Sequence, residues 1–308
     1  METPFKNTAH HLQEIRIVSS GSAFLRGLRW LPLVKPKGVV VHIHGLGEHC
    51  RRYRHVADHI NKKGFIFQSL DLRGHGLSSG KRGHAGSLEY LLDDAEQSII
   101  SARKDFQELP LFMYGHSMGG NIVANYLLRR SSSELKGAIM TSPWFRLAEE
   151  IPAFQVKLVN MIAGLFPALT LPNGLNVNDI SSDPEVVEAY GTDPLVHSRI
   201  SARIMSDLYA SGLYAIENAR DIDIPVLVMH GDEDKITSYD GSKLFTQNAG
   251  SNAVFKSWPG MKHETHNEPD KDVVLNYIVK WMESVLLRNH RNFVWHMAKH
   301  RVFYLGRS

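Results

Sequence analysis

Apolar residues recur along this 308-residue chain in two patterns. Gly38–His44 (GVVVHIH), Phe65–Asp71, Leu111–Gly115 (LFMYG), Leu135–Thr141, Pro225–His230 (PVLVMH) and Ala253–Trp258 are short, mostly apolar runs without the strict alternation of a half-exposed strand. Such runs predict strands buried on both faces. Tyr53–Lys63, Ser87 to about Phe106, and Gly119–Arg130 instead carry apolar residues at helical spacing, and Asp270 to about Leu287 reads as a final amphipathic helix. Gly64 ends the first helix. Ser87 is placed to cap the second, with Tyr90 and Leu91 facing inward. Glu14–Ser19 and Phe24–Leu33 look like an antiparallel pair at the start. Strands alternating with helices predict an α/β architecture, a mostly parallel sheet covered on both faces.

The rhythm breaks between Arg146 and Arg220. A greasy helical stretch, a Pro/Gly/Asn-rich segment from Phe166 to Asn178 and a second helical stretch around Ile200–Ala219 follow one another. They predict a helical cap or lid inserted above the sheet. The expected organisation is a core of residues 1–145 and 221–287, a cap over 146–220 and a C-terminal extension over 288–308. There is no internal repeat or low-complexity tract.

Composition narrows the classes. A hydrophobic fraction of 43% is too high for a disordered chain. With 35 Lys+Arg against 32 Asp+Glu, the formal charge is +3, without the basic excess of a nucleic-acid binder. Cys50 is the single cysteine, so no intramolecular disulfide is expected, which fits a reducing compartment. The first 18 residues hold no apolar run of signal-peptide length, and no stretch approaches the roughly 18 unbroken apolar residues of a spanning helix. A soluble, cytoplasmic protein is expected, able to touch a membrane only from its surface. The charge is uneven, because Arg288, Arg291, Lys299, Arg301 and Arg307 give residues 284–308 a charge of +5 and leave −2 on the rest. Phe293, Trp295, Phe303 and Tyr304 interleave with those bases, so the tail suits packing on the domain or contact with an anionic membrane.

The chemistry concentrates at glycine-broken strand ends. Gly115-His116-Ser117-Met118-Gly119-Gly120 falls between a strand and a helix, the context in which G-x-S-x-G makes a nucleophile elbow. Glycines allow the sharp turn, and the helix start favours a developing negative charge near Ser117. His116 is expected to pack beneath the elbow. A serine nucleophile needs a base and the base an orienting carboxylate, in the order Ser, Asp/Glu, His. Asp232, Glu233 and Asp234 cluster after one late strand and compete for the acid. His263 and His266 follow the next strand and compete for the base. Spacing decides neither choice. His263-Glu264-Thr265-His266 is one residue shorter than the helical zinc motif, so no metal is expected. His44-Gly45-Leu46-Gly47-Glu48 follows the strand expected to supply the second oxyanion amide, giving Leu46 and Met118 as the pair of donors. Cys50 is assigned no chemistry.

Five segments, HGLGEHCRRY (44–53), DLRGHGLSSG (71–80), GHSMGG (115–120), HGDEDKIT (230–237) and GMKHETHNE (260–268), together resemble the monoglyceride lipase and lysophospholipase group of the α/β-hydrolase fold. DPLV (193–196) in the insertion is also similar, and the resemblance runs from about residue 14 to 287. It implies the α/β-hydrolase fold and a serine carboxylester hydrolase that needs no cofactor. It places the acid on Asp234 and the base on His263, leaving Asp232 as a turn-former. It also puts Glu48, Arg52 and His266 beside a glycerol leaving group, with a monoacylglycerol or other lipid monoester as substrate. Asp71 and Arg73 are read as holding their own loop. The apolar stretch Phe154–Leu171 suits core, acyl tunnel and membrane-facing lid alike. The alternatives are a lysophospholipase, thioesterase, general carboxylesterase or perhydrolase, and a non-catalytic binding protein. Oligomeric state is left open.

Overall fold

The computed structural model describes the backbone of residues 10–301 and the side chains of residues 12–287. The chain opens with an antiparallel pair, β1 (His10–Ser19) and β2 (Ala23–Pro32). Strands and helices then alternate: β3 (Gly38–Ile43), α1 (Arg54–Lys62), β4 (Phe65–Leu70), α2 (Leu88–Asp105), β5 (Leu111–His116), α3 (Met118–Arg129) and β6 (Leu135–Thr141). An excursion holds α4 (Ala153–Leu165), β7 (Thr170–Pro172), α5 (Pro184–Thr192), β8 (Arg199–Ser201) and α6 (Ala202–Asn218). β9 (Val226–Gly231), α7 (Tyr239–Ala249), β10 (Ala253–Trp258) and α8 (Lys271–Arg301) follow. The main sheet runs β1-β2-β4-β3-β5-β6-β9-β10, parallel from β4 onward and antiparallel at its first two pairings.

Successive strand residues face opposite sides of a sheet, and here both sides are apolar. Val39, Val41, Leu111, Met113, Ala138, Met140, Val226 and Val228 pack with α2, α3, α6 and α7. Val40, Phe112, Ile139, Leu227 and Met229 pack with α1 and α8. This explains the unbroken apolar runs: a strand covered twice has no polar face to show.

The parallel register aligns the carboxyl ends. Ile43 pairs with Gly115, His116 with Thr141, Thr141 with Met229, and Gly231 with Trp258. The segments after β3, β5, β6, β9 and β10 therefore leave the sheet along one edge, the edge where open α/β sheets carry their sites.

Several local expectations are revised. The Ser87 side chain makes no capping bond; the Leu88 amide donates instead to Asp207 Oδ2 of α6, at 2.9 Å. Leu91 faces inward, but Tyr90 is exposed, its ring lying under the Arg73 guanidinium at 4.6 Å. β7 forms inside the Pro/Gly/Asn-rich segment 166–178 and pairs with β8, and α5, with Asp183 as its side-chain N-cap, stands between that segment and the second helical stretch, where no element was expected. α6 falls within the predicted cap, yet Ile204, Leu208, Ala215 and Ile216 join the core layer beside α3. α4 buries only Ala163, so its apolar residues are not core. α8 continues past Leu287 to Arg301. The basic and aromatic side chains of 288–308 lie outside the described residues. Among the described residues, no helix is long and apolar enough to cross a membrane.

The packing of α3 on the end of β3 leaves no room at Gly119, where an added Cβ would sit 2.0 Å from the Ile43 carbonyl oxygen. Gly119→Ala should therefore cost about 3 kcal/mol. Gly164→Ala in α4, where nothing lies within 4 Å, should gain roughly 0.5–1 kcal/mol from helix propensity. Urea midpoints of the two variants, at unchanged slope, measure both.

Candidate active site

Ser117 sits between β5 and α3 with φ 53° and ψ −116°, a left-handed conformation that L-residues rarely adopt. Such a residue costs of order 1–3 kcal/mol and persists only when its surroundings hold it. Here the Ser117 amide donates to Thr141 O at 2.9 Å, and the Ser117 carbonyl accepts from Asn121 and Trp144 amides at 3.1 and 2.9 Å. A Cβ on Gly115 would meet Gly119 O at 2.2 Å, so the turn closes only without one.

Of the three acids after β9, only Asp234 meets a histidine. The His263 Nδ1–H donates to Asp234 Oδ2 at 2.7 Å. Asp232 accepts from the Gly260 amide at 2.7 Å and so staples the neighbouring turn, while Glu233 is exposed. Asp234 is held from all sides. Its Oδ1 accepts from the Ile236 and Thr237 amides at 2.7 and 3.0 Å, and its Oδ2 also receives His230 Nε2 at 2.9 Å and the Thr237 hydroxyl at 2.9 Å. His230 Nδ1 in turn accepts from Ser242 Oγ at 2.8 Å. The Ser142 hydroxyl donates to the His263 carbonyl at 2.7 Å, which fixes the loop that carries the imidazole.

Burial opposes ionisation of both partners, and the pair overcomes it. Burial alone would raise the Asp234 carboxyl, but the His263 charge and the hydrogen bonds from His230 and His263 hold it well below 3.8. Burial would lower His263, but the charge and hydrogen bond of Asp234, with Glu264 and Glu48 behind them, hold it above 6.5. With Nδ1 committed to Asp234, Nε2 is the nitrogen left to take a proton. His116 differs. Burial, and then the His263 charge, push it down to about 4, so it is a neutral ring 4.8 Å from that of His263.

Ser117 and His263 line one cavity of about 250 Å³ with Leu46, Trp144, Leu175, Ile180 and Ile236. Gly45 and Glu48 also line it, and a Cβ on Gly45 would lie 3.4 Å from Ser117 Cβ. Glu48 Oε1 accepts from the Gly45 amide at 2.6 Å and from Tyr53 at 2.7 Å, and His44 Nδ1–H donates to Gly45 O at 2.7 Å. The Gly45 amide is thus spent. The Leu46 and Met118 amides have no acceptor among the described residues, and the first amides of a helix such as α3 have none within it.

Of the three residues expected at a leaving group, Glu48 lines the cavity and the other two do not. Arg52 lies behind it, bidentate on Glu264 at 2.7 Å and 2.7 Å, bonded to Glu48 Oε2 at 2.6 Å, and 4.5 Å over the Tyr190 ring. Burial favours a neutral Glu48, but Arg52, His116 and His44 outweigh it and hold the carboxyl well below its usual range. His266 is stacked on Tyr53 at 4.9 Å, and both of its ring nitrogens are buried without a partner. Glu264, Tyr190, Trp144, Thr237 and His230 join the site without having been singled out. The sequence signal for Glu264 and Thr237 was their place beside His263 and Asp234; Tyr190, from α5, had none. Asp71 accepts from the Cys50 and Leu77 amides, and Arg73 forks onto Asp94, so both are structural. Burial raises the Cys50 thiol, which keeps it inert. Among the described residues, no cluster suited to a metal is present.

Comparison with known proteins follows the same lines. A family profile described as serine aminopeptidase, S33, matches residues 34–270. A monoacylglycerol lipase of Mycolicibacterium smegmatis is 36% identical over 259 residues, covering 83% of this chain and 92% of that protein. An abhydrolase domain-containing protein of Dictyostelium discoideum is 37% identical over 257 residues, but the chain spans only 27% of its length. The crystal structure of Paleococcus ferrophilus monoacylglycerol lipase superposes with a TM-score of 0.76 at 32% identity, covering 84% of this chain and 99% of that one.

With His263 proposed as the general base, its raised pKa gives a testable pH dependence. A base must be neutral to act, so kcat/KM should fall as pH drops, with the midpoint of its acid limb above 6.5. Asp234→Asn removes the main cause of the raised value. It should move that limb to lower pH and reduce kcat by several orders of magnitude, whereas Asp232→Asn should do neither. Rate profiles on p-nitrophenyl butyrate from pH 5 to 9 test this, and a larger loss in Asp232→Asn would reverse the two roles.

Proposed function

The chain belongs to the hydrolase family described as serine aminopeptidase, S33, and is a serine ester hydrolase of the α/β-hydrolase fold; from that premise we propose that it hydrolyses monoacylglycerols through Ser117, His263 and Asp234. Ser117 Oγ attacks the ester carbonyl while His263 Nε2 takes its proton. The Leu46 and Met118 amides bind the oxyanion, each contributing about 3 kcal/mol to the transition state. The C–O bond breaks, and the alcohol leaves with the proton from His263. Water then gives its proton to the same nitrogen, attacks the acyl-enzyme and releases the fatty acid and free Ser117. Asp234 keeps the imidazole in the tautomer that both halves require.

The observation that carries this reading is the Asp234–His263 contact of 2.7 Å beside a cavity that also exposes Ser117. Substrate choice draws on the walls of that cavity. Leu46, Trp144, Leu147, Leu175, Ile180 and Ile236 suit an acyl chain, and Glu48, Glu264 and Tyr190 supply a polar end. Two carboxylates against one guanidinium leave that end negative, which suits glycerol hydroxyls, as donors, better than phosphate. Arg52 then acts through Glu48 and Glu264, by holding them, and His266 by filling the space behind His116.

We further propose that the cap, within residues 146–220, meets lipid directly. Phe154, Leu158, Met161 and Leu165 form one stripe along α4, between 48% and 69% exposed, and Phe166, Leu169 and Leu171 extend it. Asn173–Leu175, the next residues in the chain, line the cavity, so the stripe leads toward the site. An apolar face of this size that no described segment covers is a surface for lipid.

Ser117→Ala should abolish hydrolysis of monooleoylglycerol and of p-nitrophenyl butyrate while leaving the circular dichroism spectrum unchanged. Residual turnover would end the assignment. For the wild type, kcat/KM should be at least about tenfold higher on monooleoylglycerol than on lysophosphatidylcholine, oleoyl-CoA or an aminoacyl anilide, a margin near 1.4 kcal/mol. The opposite order would move the substrate class. Replacing Met161 and Leu165 together by Glu should lower sedimentation with phosphatidylcholine vesicles and the rate on vesicle-borne monooleoylglycerol. Hydrolysis of dissolved p-nitrophenyl butyrate should stay within about twofold, since each buried apolar side chain contributes roughly 1.5–3 kcal/mol to lipid contact alone.

A further inference from the structure

The main sheet ends at β1. This strand pairs with β2 along its whole length, from His10↔Pro32 to Ser19↔Ala23, without a bulge. Among the described residues, no other segment bonds to its backbone. β2 shows which residues of β1 point outward. Phe24 O accepts from the Ser79 amide and Arg26 O from the Asp71 amide, so these two residues direct their backbone groups away from β1. Their partners in the register are Val18 and Arg16. Alternation along an antiparallel strand then puts the N–H and C=O groups of Leu12, Glu14, Arg16 and Val18 on the open edge. An edge with its donors and acceptors free is a template for another strand.

The side chains of the same four residues share one face of the sheet, and all four are exposed. Along the strand they run apolar, acid, base, apolar, an order that complements itself when reversed. In an antiparallel pair of two β1 strands centred on Ile15, Glu14 lies opposite Arg16 of the second copy, and Leu12 opposite its Val18. Each of these residues has outward backbone groups, so each pair is a hydrogen-bonded one. The two nearest registers that keep those bonds set Glu14 against Glu14 or Arg16 against Arg16. Of the three, only the register centred on Ile15 joins opposite charges. Within one chain, Arg16 lies opposite Arg26, and the single carboxylate of Glu14 serves both, at 3.6 and 3.7 Å. A second copy gives Arg16 a carboxylate of its own. It also sets its Leu12 beside Val18 and Phe24, which are more than half exposed in one chain.

We propose that this edge takes a second copy of the chain: two β1 strands pair antiparallel about Ile15 in a two-fold dimer, and one sheet runs through both copies. None of the four residues lines the cavity that holds Ser117, so the dimer does not depend on the ester-hydrolase reading.

Sedimentation of the full chain at micromolar concentration should give the mass of two chains. Glu14→Arg, which sets arginine against arginine on both sides of the axis, should raise the dissociation constant at least about tenfold. Combining Glu14→Arg with Arg16→Glu exchanges the charges, restores two opposite pairs and should return the dimer. Cysteine variants read the register, since Cys50 is buried and an introduced thiol is the one that reacts. Two copies of residue 15 face each other with Cα atoms about 4.5 Å apart, within disulfide reach. Two copies of residue 13 lie four residues apart along the strands, about 14 Å. Mild oxidation should therefore link Ile15→Cys into a covalent dimer and leave Gln13→Cys unlinked. Turnover of p-nitrophenyl butyrate should stay within about twofold in every variant, as expected for surface changes away from the cavity, which shows that each is folded. A monomeric wild type, a charge exchange that fails to restore the dimer, or cross-linking at residue 13 equal to that at residue 15 would each overturn the proposal.

Discussion

The site depends on one close approach, that of the α3 start to the end of β3. Gly119 brings its Cα so near the Ile43 and His44 carbonyls that no side chain fits between them. This approach does two things together. It forces the sharp exit from β5 that puts Ser117 at positive φ, and it sets the distance between the elbow and the loop that begins at His44. Ser117 and the Gly45–Glu48 loop are thus spaced by backbone packing, which is stiffer than any side-chain contact. The strain at Ser117 is carried by neighbours that have little freedom to relax.

Electrostatics completes what packing begins. Two buried networks flank the cavity. In one, a single carboxylate, Asp234, receives two amides, a hydroxyl and two imidazoles, so its charge is fully solvated by protein. In the other, Arg52 lies between Glu48 and Glu264. Ion pairs at such depth stabilise the fold little, because desolvation offsets attraction. Their contribution is directional. Glu48 is ionised in spite of its burial, and as a carboxylate it can hold the Gly45 amide and the Tyr53 hydroxyl together. Through charge alone, Glu48 and Glu264 also raise the basicity of His263. The cavity wall that holds these two carboxylates therefore also sets the charge state of the His263 ring.

The core was legible in the sequence because its physics is local. Runs such as GVVVHIH and PVLVMH are apolar on both faces for the reason seen in the packing, and glycines mark the turns that need them. Ser117 was legible for the same reason: strand, glycines and helix are contiguous. The choice among Asp232, Glu233 and Asp234 was not, since all three occupy one turn and only the arrival of His263 from the next strand separates them. Spacing gave no hint that Arg52 would turn away from the cavity onto Glu264, which lies 212 residues away. Tyr90 and α4 misled in opposite ways. A tyrosine expected to face inward lies exposed against the buried Arg73 guanidinium, and a greasy helix is left largely uncovered by the described residues. Composition records that a residue is apolar, not which surface covers it.

The uncovered helix and the contact that holds Gly47 belong to one excursion of the chain. α4 leads into β7, which pairs with β8, and β8 directly follows the segment whose His197 holds Gly47. The ribbon is itself clamped to the core, since a Cβ on Gly83 would lie 2.3 Å from Arg199 O and the Ser201 amide donates to Gly83 O at 2.8 Å. Contiguity alone does not couple two sites; a coupling needs an element with two arrangements that both sites bias. Gly47 is the residue of the loop able to supply one. Its left-handed peptide is stable against the cap and has other conformations open to it without the cap. The Leu46 amide does not depend on that choice, because it shares a planar peptide with the Gly45 carbonyl, which His44 holds at 2.7 Å from the core.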